Sequence, residues 1–136
     1  MKSFVTFVPR DVAIGLKTQA NVISVISKAD VVPVFKVKPK RIHVVRLDAF
    51  GGGKLSAYDV KQLVKFLTTC GDEDIVVHCG EGKIRSPAIA MAVTRLTDKT
   101  LNLDFPGCVG DTSKLDDSTY KRIIRLATEN GLIPKI

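Results

Sequence analysis

The chain has 136 residues, 45% of them hydrophobic, enough for one ordinary domain with its own core. Charges of both signs (21 Lys and Arg against 14 Asp and Glu, net +7) argue against a disordered chain. No run approaches the roughly 18 apolar residues needed to cross a bilayer. Cys70, Cys79 and Cys108 form no C-x-x-C pair, and only His43 and His78 could join them. Reduced thiols therefore fit better than a disulfide framework or zinc. With no signal peptide legible at the N-terminus, the expected location is cytoplasmic, with no metal or other cofactor.

In chain order, Phe4 to Val8 reads as a strand and Asp11 to Lys17 as a short helix after Pro9. Val22 to Ile26, Val34 to Lys38 and Ile42 to Leu47 read as three further strands. Ser56 to Cys70 is an amphipathic helix with Val60, Leu63, Val64 and Leu67 at helical spacing, Ser56 as its cap and Gly71 as its end. Ile75 to Cys79 is a β-branched, buried strand. The helix from Ser86 to about Thr97 is apolar nearly all round, so it should be central. Leu101 to Ser113 is irregular. Asp116 to Asn130 closes the chain as a helix with Tyr120, Ile123, Ile124 and Ala127 inward and Gly131 after it. Strand and helix alternate without linker or repeat, which predicts a single α/β domain over residues 1–136 with a largely parallel sheet.

The densest chemistry lies in His78-Cys79-Gly80-Glu81-Gly82-Lys83-Ile84-Arg85-Ser86-Pro87, between a strand and a helix. Gly80 and Gly82 let the chain curl tightly. Ser86 reads as a helix cap and Pro87 as its first residue. Such a loop turns backbone N–H groups inward, with a helix N-terminus behind them, and makes a cradle for an anion such as phosphate. Cys79 opens it, where the donors should favour thiolate. Arg85 closes it, and its planar fork suits two oxygens of a phosphate. Ser86 adds a hydroxyl that could steady the thiolate as a leaving group.

The pattern His78-Cys79, five residues, Arg85-Ser86 resembles the signature of cysteine-dependent phosphatases of the tyrosine and dual-specificity class. The order of strand, acid loop, amphipathic helix, signature loop and helix also follows that family, nearest its small dual-specificity members. The resemblance implies a dual-specificity phosphatase-like fold with helices flanking the sheet. It also implies hydrolysis of phosphotyrosine, phosphoserine and phosphothreonine through a cysteinyl-phosphate, without metal. The phosphate loop would be Gly80, Glu81, Gly82, Lys83, Ile84 and Arg85, with His78 tuning the Cys79 pKa.

A general acid is needed to protonate the leaving oxygen. Asp48 directly follows the strand Ile42 to Leu47, so it should emerge at the same sheet edge as Cys79. Gly51-Gly52-Gly53 would let it close over substrate. The family's acid lies about thirty residues before its Cys, and Asp48 matches that placement. Asp72 and Asp74 precede the Cys79 strand, and at about 3.3 Å per residue Asp74 falls roughly 16 Å away at the opposite edge. Asp59 complements the macrodipole of its helix. Asp104 and Asp111, in the irregular segment, stay open.

Two features depart from the simplest reading. Glu81 places a negative charge in the phosphate loop, which leaves open a phosphate-binding module with little turnover. Lys83 resembles a lysine of phosphoinositide phosphatases, although Gly80 stands where their second lysine would be. An anionic lipid or inositol phosphate is therefore a second substrate class beside phosphoproteins. Lys36, Lys38 and Lys40 would share one face of an extended segment and guard an edge strand, or attract an acidic partner. Few aromatics accompany them, so nucleic acid is not expected. A third option is a sulfur-transfer or arsenate-reducing enzyme in which Cys70 or Cys108 resolves Cys79.

Overall fold

In the computed structural model, residues 3–47, 55–80, 82, 84–108 and 110–132 are described. Four apolar runs become the strands β1 (Phe4–Pro9), β2 (Asn21–Ile26), β3 (Arg41–Arg46) and β4 (Ile75–Cys79). A two-residue β5 (Thr100–Leu101) completes an all-parallel sheet of order β3-β2-β4-β1-β5. The sequence reading expects no strand at β5. The chain is thus α/β with a five-stranded parallel sheet, and β4 lies at its centre.

The helices are α1 (Arg10–Ile14), α2 (Ala57–Cys70), α3 (Arg85–Leu96) and α4 (Asp117–Glu129). Ser56 caps α2 in a reciprocal box: its hydroxyl accepts from the Asp59 amide, and the Asp59 carboxylate accepts from the Ser56 amide. Asp116 caps α4 through the Thr119 amide. Gly71, at φ 57°, ends α2 in the left-handed region, as glycine there should.

The two faces of β4 go to different layers because side chains alternate along a strand. Ile75, Val77 and Cys79 join the main core with Val60 and Leu63 of α2, Ile89 and Val93 of α3 and Ile123 of α4. Val76 packs on the other face with Val8 and Ala13, flanked by Leu16, Phe35 and Phe105. As expected, α3 is sheathed on nearly all sides, with eight of its residues from Ser86 to Leu96 buried.

Two expectations change. Val34 to Lys38 is not a strand. It is irregular and bends at Lys36 and Val37, with Val34, Lys36, Lys38 and Lys40 exposed and Phe35, Val37 and Pro39 half-buried. Its amides bond to carbonyls outside the sheet, Lys36 N–H to Ile14 and Lys40 N–H to Ala20, each at 2.8 Å. The lysine pattern is real, but it does not guard an edge strand. The expected helix Asp11 to Lys17 is also shorter, and stops before Gly15.

Lys99 has no counterpart in the sequence reading. Its side chain is buried, and its ammonium donates to Ser3 Oγ at 2.9 Å, Gly71 O at 2.7 Å and Glu73 O at 2.8 Å. It binds the end of α2 and the turn before β4 to the start of β1.

Candidate functional site

Strand β4 ends on Cys79 at the carboxyl edge of the sheet, with the ends of β1 and β2 on either side. Pro9 pairs in register with Cys79, and the Arg10 amide donates to the Gly80 carbonyl at 3.0 Å. The loop rests directly on the end of β1. A Cβ on Gly82 would lie 2.7 Å from Pro9 N and 2.8 Å from Val8 C, and Gly82 sits at φ 74°. Only glycine fits there, because both space and backbone region refuse a side chain.

The Gly82 amide donates to Cys79 Sγ at 3.3 Å. Ser86 Oγ lies 3.2 Å from the same sulfur; a protonated thiol donates to that oxygen, and an ionised one accepts from it. Burial pushes the thiol up. The Ser86 hydroxyl, the amides of Ser86 and Gly82 and the Arg85 charge together outweigh that and bring it below the ordinary cysteine value.

This position of Ser86 corrects one expectation. Helix α3 starts at Arg85, its N-cap is Ile84, and no side chain caps it. Ser86 is therefore inside the first turn, buried, with its hydroxyl committed to the sulfur. Pro87 is the third helical residue rather than the first, where its missing N–H is still no loss. The Ile84 carbonyl accepts from the Asp116 amide at 2.9 Å, which ties the end of the loop to the start of α4.

Arg85 reaches across the loop. One guanidinium nitrogen donates to the Leu47 carbonyl at 2.9 Å and to Ser27 Oγ at 3.4 Å. The other nitrogen lies beside Gly80, 3.6 Å from where a Cβ would stand. The guanidinium is thus fixed by the ends of β2 and β3, close enough to Cys79 to favour its ionised form. Arg46 secures the same edge by donating to the carbonyls of Ser27, Lys28 and Asp30.

His78 is fully buried on the α1 face of the sheet. Its Nδ1 lies 3.3 Å from the Cys79 carbonyl and its Nε2 2.7 Å from Ser24 Oγ. A carbonyl can only accept, so Nδ1 carries the proton and Nε2 accepts from the serine. Burial lowers the His78 pKa; the Cys79 carbonyl opposes this, and the charges of Arg10 and Arg85 add to it. The ring is neutral and bonded to the backbone of Cys79.

Asp48, Glu81 and Lys83, and the run Gly51-Gly52-Gly53, lie outside the described residues. Asp74 is at the far edge, where its carboxylate accepts from the Phe4 amide at 2.9 Å. Asp104 and Asp111 are exposed in the segment before α4, and the Asp111 carboxylate accepts from the Ser113 amide. Cys70 ends α2 beside Arg41, Lys99 and Glu73 at that far edge, and burial raises its pKa. All three cysteines are free. Ser24, Ser27 and Arg10 were not legible as site residues, since nothing in their local sequence marks them. Only the parallel register brings their strand ends to Cys79.

Among the described residues no cluster of His, Cys, Asp and Glu could hold a metal ion, and no helix is long and apolar enough to cross a membrane. Chemically, the arrangement offers a thiol tuned toward its anion, inward amides and a fixed guanidinium. Compared with known proteins, the chain matches no family model, no curated protein and no solved structure.

Proposed function

We propose that the protein is a cysteine-dependent phosphatase of the dual-specificity type, acting on phosphate monoesters. The observation that carries this reading is the convergence of the Gly82 amide and the Ser86 hydroxyl on Cys79 Sγ, with the Arg85 guanidinium beside the same loop. A lowered thiol pKa in an amide-lined turn suits attack on a tetrahedral oxyanion better than a structural role.

In the first step the Cys79 thiolate attacks phosphorus in line. The S–P bond forms as the P–O bond to the leaving group breaks, and Asp48 donates its proton to the departing oxygen. Arg85 and the loop amides hold the other phosphate oxygens as charge develops. In the second step ionised Asp48 takes a proton from water. Its oxygen bonds to phosphorus, the S–P bond breaks, and Ser86 donates to the thiolate that leaves. The Leu47 carbonyl at the end of β3 accepts from Arg85, and Asp48 is taken as the acid because it follows Leu47 in the sequence. His78 holds the Cys79 backbone and touches no substrate.

The test is hydrolysis of p-nitrophenyl phosphate by wild type, Cys79→Ser and Arg85→Met. Cys79→Ser should abolish turnover, and Arg85→Met should lower it by about 10²–10³-fold. Undiminished turnover in Cys79→Ser would remove the mechanism.

A further inference from the structure

The segment that leaves β2 carries the two most exposed large apolar side chains among the described residues, Val31 at 79% and Val34 at 88%. Scattered surface valines need no explanation, but these two are three residues apart in a segment with contacts on both sides. On one side, Ser27 contacts Arg85, and Arg46 grips the carbonyls of Ser27, Lys28 and Asp30. On the other, Pro33 is buried and the Phe35 ring meets His78 edge-on, with centroids 6.0 Å apart. The first anchor lies where β2 ends, and the second lies on the α1 face of the sheet, so Val31 and Val34 sit in a segment held on both sides.

Beyond Val34 the chain bends at Lys36 and Val37, and the Lys36 and Lys38 side chains are exposed like that of Val34. Neither ammonium makes an ion pair among the described residues, unlike Lys40, which is held by Glu73. The neighbouring acid, Asp30, turns its carboxylate to the Ser27 amide. The result is two exposed apolar side chains followed within four residues by two exposed cations, on a chain of net charge +7.

We propose that residues 31–38 are a docking strap for an anionic bilayer, with Val31 and Val34 entering the headgroup boundary and Lys36 and Lys38 facing its phosphates. Apolar side chains that dip about 5–10 Å below the surface, backed by Lys, are what interfacial binding requires. An apolar protein groove would cover the valines but leave the charges of the two exposed lysines unmatched, whereas an anionic surface matches both. The docking does not depend on the proposed function.

The experiment is co-sedimentation of the full chain with phosphatidylcholine vesicles, with and without a minority of phosphatidylserine. Phosphatidylserine carries no phosphate monoester, so binding is read independently of turnover. Wild type should bind the anionic vesicles at least about tenfold better than the neutral ones, and lose that preference as salt rises. Val31→Asp with Val34→Asp, and separately Lys36→Glu with Lys38→Glu, should each weaken binding by about tenfold or more. Both pairs should hydrolyse p-nitrophenyl phosphate like wild type, which also shows that they fold. Equal binding to both vesicle types, or unchanged binding by either pair, overturns the proposal. So does dimerisation in sedimentation velocity that Val31→Asp with Val34→Asp abolishes, since the patch would then belong to a second copy. If no variant and no wild type turns over an aryl phosphate while vesicle binding behaves as stated, the catalytic reading falls and the strap remains.

Discussion

The amide of Gly82 points at the sulfur of Cys79 across 3.3 Å, from a position where no side chain fits. The same residue seats the loop on β1 and holds the thiol. In Gly82→Ala the new methyl would press on Pro9 N and Val8 C, backbone atoms at the end of an interior strand that cannot yield. Overpacking of this kind costs about 1–3 kcal/mol. The loop should lift, the Cys79 pKa should rise, and turnover should fall by more than about tenfold. Gly80→Ala is the control: its methyl would only make ordinary contact with Arg85 at 3.6 Å. Urea melts and the pH dependence of iodoacetamide labelling distinguish the two variants.

Ser86 is placed to act twice on one atom. Its hydroxyl favours the thiolate, and in the proposed mechanism it would also support the sulfur as it leaves phosphorus. Ser86→Ala should therefore raise the Cys79 pKa and move the acid limb of kcat/KM to higher pH. It should also slow the second step more than the first, so a burst of p-nitrophenol should precede a slower steady state. A loss of rate with neither the shift nor the burst would mean that the hydroxyl only fills space.

How far the sequence could be read differs from residue to residue. Cys79 and its loop were legible because a β-branched run, two glycines and an Arg-Ser-Pro stretch lie close together in the chain. Ser86 was legible as a site residue but misread as a cap. A Ser-Pro pair looks the same whether its hydroxyl meets a backbone amide or, as here, a sulfur seven residues earlier. Val34 to Lys38 was misread as a strand because alternating lysines and apolar residues mark one covered face, which a bent segment outside the sheet can have as well. Pairing needs a neighbour, and its amides found Ile14 and Ala20 instead. Lys99 was invisible, since a buried lysine depends on three carbonyl and hydroxyl oxygens brought together by the fold. The layer arrangement followed from alternation; the partners of Arg85 did not, because Ser27 and Leu47 are distant in sequence.

The neutral imidazole of His78 makes stability depend on pH. Burial lowers its pKa from the ordinary 6.5, so the unfolded chain takes up the proton first. Its contribution is intact above that ordinary value and is lost as pH falls from there toward the lowered folded one. Protonation would also put an N–H against the Ser24 hydroxyl, which now donates to Nε2. His43, stacked on Phe66, is lowered by burial against the pull of Asp59 and titrates in the same direction. The comparison is therefore wild type against His78→Asn. Urea midpoints should converge as pH drops from 7 to 5, and parallel curves would show that His78 does not carry the dependence.

The free cysteines offer a test against sulfur-transfer or arsenate-reducing chemistry. Cys70 sits at the amino edge beside Arg41 and Lys99, a strand's length from Cys79. A disulfide needs Cα atoms within about 7 Å, so Cys70 cannot resolve Cys79 without unravelling α2. Cys108 is half-buried and packs against the main core. Cys70→Ser with Cys108→Ser should keep full turnover of p-nitrophenyl phosphate without added reductant. A turnover that stops after one cycle in this variant would reinstate the resolving thiol.

Asp48 is argued from the bond between its neighbour Leu47 and Arg85, and its role has a signature that loss of folding cannot imitate. An acid matters in proportion to how badly the leaving oxygen needs a proton. Asp48→Asn should therefore lower the rate by about 10²–10⁴-fold on phenyl phosphate, whose phenoxide is a strong base. On p-nitrophenyl phosphate, whose phenolate departs readily, the loss in the first step should be much smaller. The basic limb of kcat/KM should flatten with the poor leaving group, because the group that must be protonated has been removed. Equal losses on both esters would place the acid elsewhere. Asp104 and Asp111, exposed before α4, are then the residues to substitute in the same assay.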